Sequence, residues 1–215
     1  MKARKILDTI DFPSFDLISE TLDQLIELEF LEQVNWEKFP YKPLVSVQLA
    51  YNSKELFLKY KVKEQSVKAM ITQPNGQVWN DSCVEFFISP ESDHCYYNFE
   101  FNAIGTALLS YRQPNLEPVH ANPSVIDSIR RKSTLGTEPF EERMGETYWE
   151  LVVAIPFVAL FHHHFHPPIT QRINANFYKC GDSLAVPHFL SWTKIDTPEP
   201  CFHAPNCFGK LEFEI

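Results

Sequence analysis

Glycine is scarce in this chain, six residues in 215 against sixteen prolines. That leaves little material for a Gly-rich phosphate loop, and nothing signals a nucleotide, flavin or haem. Basic residues are also few. Lys and Arg number 19 against 28 Asp and Glu, a formal net charge of -9. Such acidity argues against nucleic acid, whose phosphates need clustered cations. The basic run Arg130-Arg131-Lys132 reads as a solvated loop. No apolar run approaches the ~18 residues of a membrane helix. The N-terminus Met1-Lys2-Ala3-Arg4-Lys5 is basic, but Ile6-Leu7-Asp8-Thr9-Ile10-Asp11 carries two acids where a signal peptide needs an apolar segment. The expectation is no signal peptide, which favours an intracellular location or else another compartment reached by a route the sequence does not show. The five cysteines hold no CxxC pair, which excludes a disulfide framework or a zinc signature and leaves free, mostly buried thiols. The run His162-His163-His164-Phe165-His166 lacks ligand spacing and a nearby Cys or carboxylate. No metal and no cofactor is therefore expected from these residues.

What the chain has is aromatic side chains: eighteen Phe, eight Tyr and four Trp. With 44% hydrophobic and 22% charged residues, it has the composition of a folded protein with an aromatic-rich β core. Period-two alternation recurs along it. Leu44 to Tyr51 and Glu55 to Val62 form a hairpin about Asn52-Ser53-Lys54. Further strands are read at 82–88, 95–102, 106–112, 147–155, 172–180 and 208–213. Residues 16–32 hold a short helix with Ser19 as cap, then a strand near Ile26–Phe30. Residues 113–145 read as long loops with one edge strand near Val125–Ile129, and Pro156 opens a short helical turn. The predicted fold is all-β, a single antiparallel β-sandwich of jelly-roll type with a short N-terminal helix and long loops. Residues 1–34 are read as an extension packing on a sandwich of residues 35–215.

One stretch organises the functional reading. After the turn chemistry of Gln73-Pro74-Asn75-Gly76 come Trp79 and then a strand with an acid inside it. On that strand Ser82, Val84, Phe86 and Ile88 share one face, and Cys83, Glu85 and Phe87 the other. Glu85 is either solvated or held in a cleft with Trp79 at one end. An aromatic plate beside a fixed carboxylate suits a sugar, which has an apolar C–H face and hydroxyl donors. On the 95–102 strand, Tyr96, Asn98, Glu100 and Asn102 form a second polar face.

Taken together, Trp79-Asn80-Asp81-Ser82-Cys83-Val84-Glu85-Phe86-Phe87-Ile88, Asn176-Phe177-Tyr178-Lys179-Cys180-Gly181-Asp182, Pro187-His188-Phe189-Leu190-Ser191-Trp192, and Phe202-His203-Ala204-Pro205 with Phe208-Gly209-Lys210-Leu211 resemble the family 9 carbohydrate-binding modules. More narrowly they resemble its single-domain branch, related to parts of xylanases, over residues 35–215. The resemblance implies a non-catalytic sandwich that holds a mono- or oligosaccharide of glucan or xylan type between two tryptophans. It implies Trp79 as the first tryptophan and Trp192 as the second. Glu85 matches the acid, and Arg112 the basic residue, that read sugar hydroxyls. The family often has an amide three residues before its second tryptophan, where this chain has Phe189. Members also bind structural calcium, for which this sequence assigns no ligands. A monomer is expected. Two other readings stay open. One is a glycoside hydrolase using Glu85 and Glu100, which requires carboxylates about 5–9.5 Å apart. The other is an interaction sandwich whose sugar site has decayed, motivated by Phe189 and the missing signal peptide.

Overall fold

The computed structural model describes residues 1–91, 94–163 and 172–214. Along the chain the strands are β1 (Lys2–Lys5), β2 (Glu29–Phe30), β3 (Gln33–Val34), β4 (Leu44–Tyr51), β5 (Glu55–Ala69), β6 (Cys83–Ser89), β7 (Tyr96–Asn102), β8 (Ala107–Arg112), β9 (Val119–His120), β10 (Arg130–Ser133), β11 (Phe140–Pro156), β12 (Arg172–Cys180), β13 (Phe189–Ser191) and β14 (Gly209–Glu214). Helix α1 (Phe15–Asp23) precedes β2, and α2 (Pro123–Ser128) precedes β10. One continuous sheet runs β10-β11-β5-β4-β1-β14-β12-β6-β7-β8-β9. It curls so that its two halves pack face to face. Leu49, Leu58 and Val153 from one half share a core with Phe86, Phe99 and Phe177 from the other. The Tyr60 hydroxyl crosses between them and donates to the Glu85 carbonyl at 2.8 Å. The result is the expected β-sandwich.

The local chemistry explains most elements. The β4–β5 hairpin turns at Asn52, whose side-chain oxygen accepts from the amides of Lys54 and Glu55 at 2.8 Å each. Its second strand runs on to Ala69, beyond the predicted Val62. Helix α1 starts earlier than expected, because Ser14 rather than Ser19 accepts from the Leu17 amide. The segment near Val125 is helix, not strand. Asn122 caps it and Pro123 fills its first turn, where no backbone donor is needed. The run Arg130-Arg131-Lys132 is the edge strand β10 rather than a loop. Arg130 there meets the buried Glu55 carboxylate at 2.8 Å. The sheet is also mixed, since β1 runs parallel to both β4 and β14. It bridges the two halves with Ala3 fully buried, a role that carries no local signature.

Alternation then decides what each strand shows to which side. On β6, Val84, Phe86 and Ile88 enter the core, which leaves Cys83, Glu85 and Phe87 on the outer face. The register places Glu85 directly between Tyr178 of β12 and Glu100 of β7, with Leu108 of β8 beyond. The next row holds Asn98 and Ser110, and the one after it Tyr96 opposite Arg112.

Candidate binding pocket

Two sets of aromatic residues cover part of this outer face and leave a pocket between them. Trp36, Tyr178, Phe189, Phe202 and Phe208 pack together over one end. Trp79 comes from a one-turn 3-10 helix, Val78–Asn80, on the other side. The cavity has a volume of about 360 Å³ and is lined by Trp79, Glu85, Asn98, Glu100, Leu108, Ser110, Arg112, His120, Cys180, Asp182, Phe189, Phe202 and His203, among others. Small-molecule sites fall in this size range.

The Trp79 turn is held rigidly. Buried Asp81 accepts from the Met70 and Ile71 amides at 2.9 and 2.8 Å and from the Asn102 side chain at 2.9 Å. The Asp182 amide donates to the Trp79 carbonyl at 3.0 Å, and Ser183 donates to Asn80 at 2.7 Å. The half-buried indole therefore stands at a fixed place on the wall.

The floor is polar and acidic. Arg112 Nε donates to Asn98 Oδ1 at 3.2 Å, and Asn98 Nδ2 donates to Glu100 Oε1 at 2.8 Å. This relay orients Glu100 but uses only one of its oxygens. Glu100 Oε2 is buried and has no protein partner. Beside it, Glu85 Oε1 accepts from the Cys180 thiol at 3.2 Å, with the Cys83 thiol at 4.0 Å. Burial pushes the Glu85 carboxyl well above its ordinary range, and the neighbouring Glu100 pushes it further. Burial also raises Glu100, against the pull of Asn98 and Arg112. The Cys83 thiol is raised to about 12, again by burial. These groups resist ionising together.

Of the residues singled out from the sequence, Trp79, Glu85 and Arg112 line this one pocket. Trp192 is elsewhere. Its amide donates to the Phe177 carbonyl at 2.9 Å, and its ring meets the core-facing Phe177 edge-on at 5.7 Å. Its indole N–H donates to Glu29 at 3.0 Å. It lies so close over Gly209 that a Cβ there would come within 2.5 Å of the ring. Phe189 lines the pocket instead, as do Phe202 and His203. Phe202 stacks on Tyr178 at 4.3 Å, and His203 sits 3.0 Å from the Tyr96 hydroxyl. The sequence signal for Asn98 and Glu100 was the polar face of β7. Phe202 and His203 lie in a Pro-rich loop with no periodicity to place them.

Among the described residues, the cluster of three or more His, Cys, Asp or Glu ligand atoms near enough to share an ion is Cys83, Glu85 and Cys180. Calcium takes six to eight oxygen ligands, and two thiols do not fit it. Part of the histidine run, His164 to His166, lies outside the described residues.

Known proteins agree with this architecture. A Bacteroides uniformis protein assigned to carbohydrate binding is 45% identical, covers 100% of this chain and 98% of its own, and superposes with a TM-score of 0.95. Two structures of a family 9 module from Caldicellulosiruptor kristjanssonii, one with glucose and one with cellotriose, superpose with a TM-score of 0.61 at 10% identity. They cover all of this chain and 95% and 93% of their own, and at that identity they speak to the fold alone. Among curated proteins none matches. The profile of carbohydrate-binding family 9 matches residues 17–213, and the chain belongs to that family.

Proposed function

We propose that the pocket binds a saccharide of glucan type, with Trp79 as its stacking platform and Glu85, Glu100, Asn98 and Arg112 reading the hydroxyls. The observation that carries this reading is Glu100 Oε2, a buried carboxyl oxygen with no protein partner at the floor of an aromatic-walled cavity. Leaving such a group unpaired costs about 1–3 kcal/mol, which a hydroxyl donor from a ligand recovers. The Trp79 indole supplies the apolar face that a pyranose ring packs against. Phe189, Phe202 and His203 line the same cavity and would supply the second apolar surface that the resemblance gave to Trp192. Family membership supports a saccharide ligand, and the glucose and cellotriose held in the two solved structures of a family 9 module make the glucan series the first to test.

Binding is favoured over hydrolysis by the family match, which is to a carbohydrate-binding family. The test is titration with glucose, xylose, cellobiose and xylobiose, followed by tryptophan fluorescence and calorimetry. Saturable binding led by the glucose series, and lost in Trp79→Ala, is expected. Silence with every sugar would overturn the reading.

A further inference from the structure

At the floor, Glu85 and Cys180 of the cavity lining meet Cys83, three groups that sugar recognition does not need as a set. Cys83 and Cys180 are exact cross-strand partners in the β6–β12 register. Cys83 and Glu85 are two residues apart on one strand, so both emerge on the outer face. The Cys180 sulfur lies 3.2 Å from Glu85 Oε1 and the Cys83 sulfur 4.0 Å from the same oxygen. All three donor atoms fall within 4.8 Å of one another. A tetrahedral zinc ion, with Zn–S near 2.3 Å and Zn–O near 2.1 Å, spaces sulfur from oxygen by about 3.6 Å and sulfur from sulfur by about 3.8 Å. The observed separations bracket the first of these values. Two thiolates and one carboxylate are a zinc-type donor set, too soft for magnesium or calcium.

The surroundings supply the rest of such a site. Glu85 and Cys180 line the cavity, so an ion held by the three would face it with its fourth position. Glu100, directly across from Glu85, offers its unpartnered oxygen to the same space. We propose that Cys83, Glu85 and Cys180 form a site for a thiophilic divalent cation of the zinc class, at the floor of the pocket. Loading displaces to solvent the two thiol protons and the proton that burial favours on the Glu85 carboxyl. It also claims the Glu85 carboxylate, so cation and sugar compete.

Cadmium and cobalt report such a site directly, because sulfur bound to either ion gives a charge-transfer band. The reduced, metal-free full chain is titrated with Cd²⁺ and Co²⁺. One equivalent per chain with a thiolate band is expected, with the band abolished in Cys180→Ser and in Cys83→Ala. Cys207→Ser, a change at a half-buried thiol outside the cavity lining, is expected to keep it. Should Cys83→Ala fail to fold, the near-isosteric Cys180→Ser alone decides. Histidine gives no sulfur band, so binding at residues 162–163 does not imitate the result. No band in the wild type, or a band that survives both cysteine variants, overturns the proposal. Trp79→Ala separates the two readings. Sugar binding without a thiolate band sinks the cation site alone. A band that persists in Trp79→Ala after sugar binding is lost supports it independently.

Discussion

Two buried acidic clusters lie on either side of β12, one residue apart, and they are built on opposite plans. On one side Lys179, fully buried, meets Glu64 at 2.9 Å and His188 Nε2 at 2.8 Å, and donates to the Cys180 carbonyl at 2.8 Å. The Trp149 indole N–H donates to the other Glu64 oxygen at 2.7 Å. His188 Nδ1, 3.0 Å from the Val186 carbonyl, carries the ring's one proton, which leaves Nε2 to accept from Lys179. On the other side Glu85 and Glu100 face each other with no lysine between them. The first cluster has a cation at its centre, and Glu64 Oε2, which accepts no hydrogen bond, is matched by the Lys179 charge at 2.9 Å. The second has an excess of acid, an unpartnered oxygen and an open cavity. Buried charge that is matched within the chain holds the sandwich together. Buried acid left unmatched is poised for something from outside.

Breaking the matched cluster has the largest expected effect. Lys179→Met leaves Glu64 buried without its cation and should cost about 3–5 kcal/mol of stability by urea unfolding. A loss below about 1 kcal/mol would mean that the cluster does not hold its charges apart from water. The same cluster should also respond to acid. Burial first, and Lys179 second, push His188 down to about 3. The unfolded chain takes up that proton near pH 6.5 and the folded chain does not. The contribution is therefore complete above pH 6.5 and lost as pH falls toward 3, by about 1.4 kcal/mol per unit. Glu85 and Glu100, both raised, act with the opposite sign, so the quantity to read is the difference between wild type and His188→Gln across pH 6 to 4. Parallel stability curves for the two proteins would contradict the neutral, buried histidine.

The two clusters differ as well in how far the sequence exposes them. Glu85 was legible because a single acid interrupts an apolar strand, and period two assigns its face without any long-range knowledge. Asn98 and Glu100 followed from the polar face of β7 by the same argument. Lys179 and Glu64 were not legible as a pair, since they meet only when two halves of a curled sheet close on each other. Trp192 shows the limit from the other side. Its motif resembles the family's, yet Gly209 and Glu29, distant in sequence, hold its ring away from the pocket. Phe202 and His203 reach the cavity from a loop whose path is set by packing on Tyr178 and Tyr96 rather than by any pattern of its own. The long central strands were therefore readable, while the short strands β1, β3, β9, β10 and β13 and the Phe202–His203 part of the pocket wall were not.

Within the unmatched cluster, effects should move from stability to affinity. Trp79→Ala removes the platform but leaves Asp81 anchoring the turn, so sugar affinity should fall about 10- to 100-fold, or about 1.4–2.7 kcal/mol, with a smaller change in stability. Trp192→Ala should do the reverse, since its ring packs against the core and not in the cavity. If Trp192→Ala weakened sugar as much as Trp79→Ala, the pocket assignment would be wrong.

The smallest expected effect is the most diagnostic. Glu100→Gln keeps the shape of the side chain and removes an acid that burial already keeps partly protonated. Stability should stay within about 1 kcal/mol of wild type, because Arg112 keeps its hydrogen bond to Asn98 and no directly paired cation is orphaned. Affinity for glucose should drop about 3- to 10-fold, since the amide nitrogen donates where an acceptor oxygen stood. Lys179→Met and Glu100→Gln each delete one ionisable group from neighbouring buried clusters. The first should be visible only in unfolding and the second only in binding. A Glu100→Gln protein that unfolds early and binds normally would place Glu100 with the structural charges, and would leave its unpartnered oxygen as a cost without a ligand.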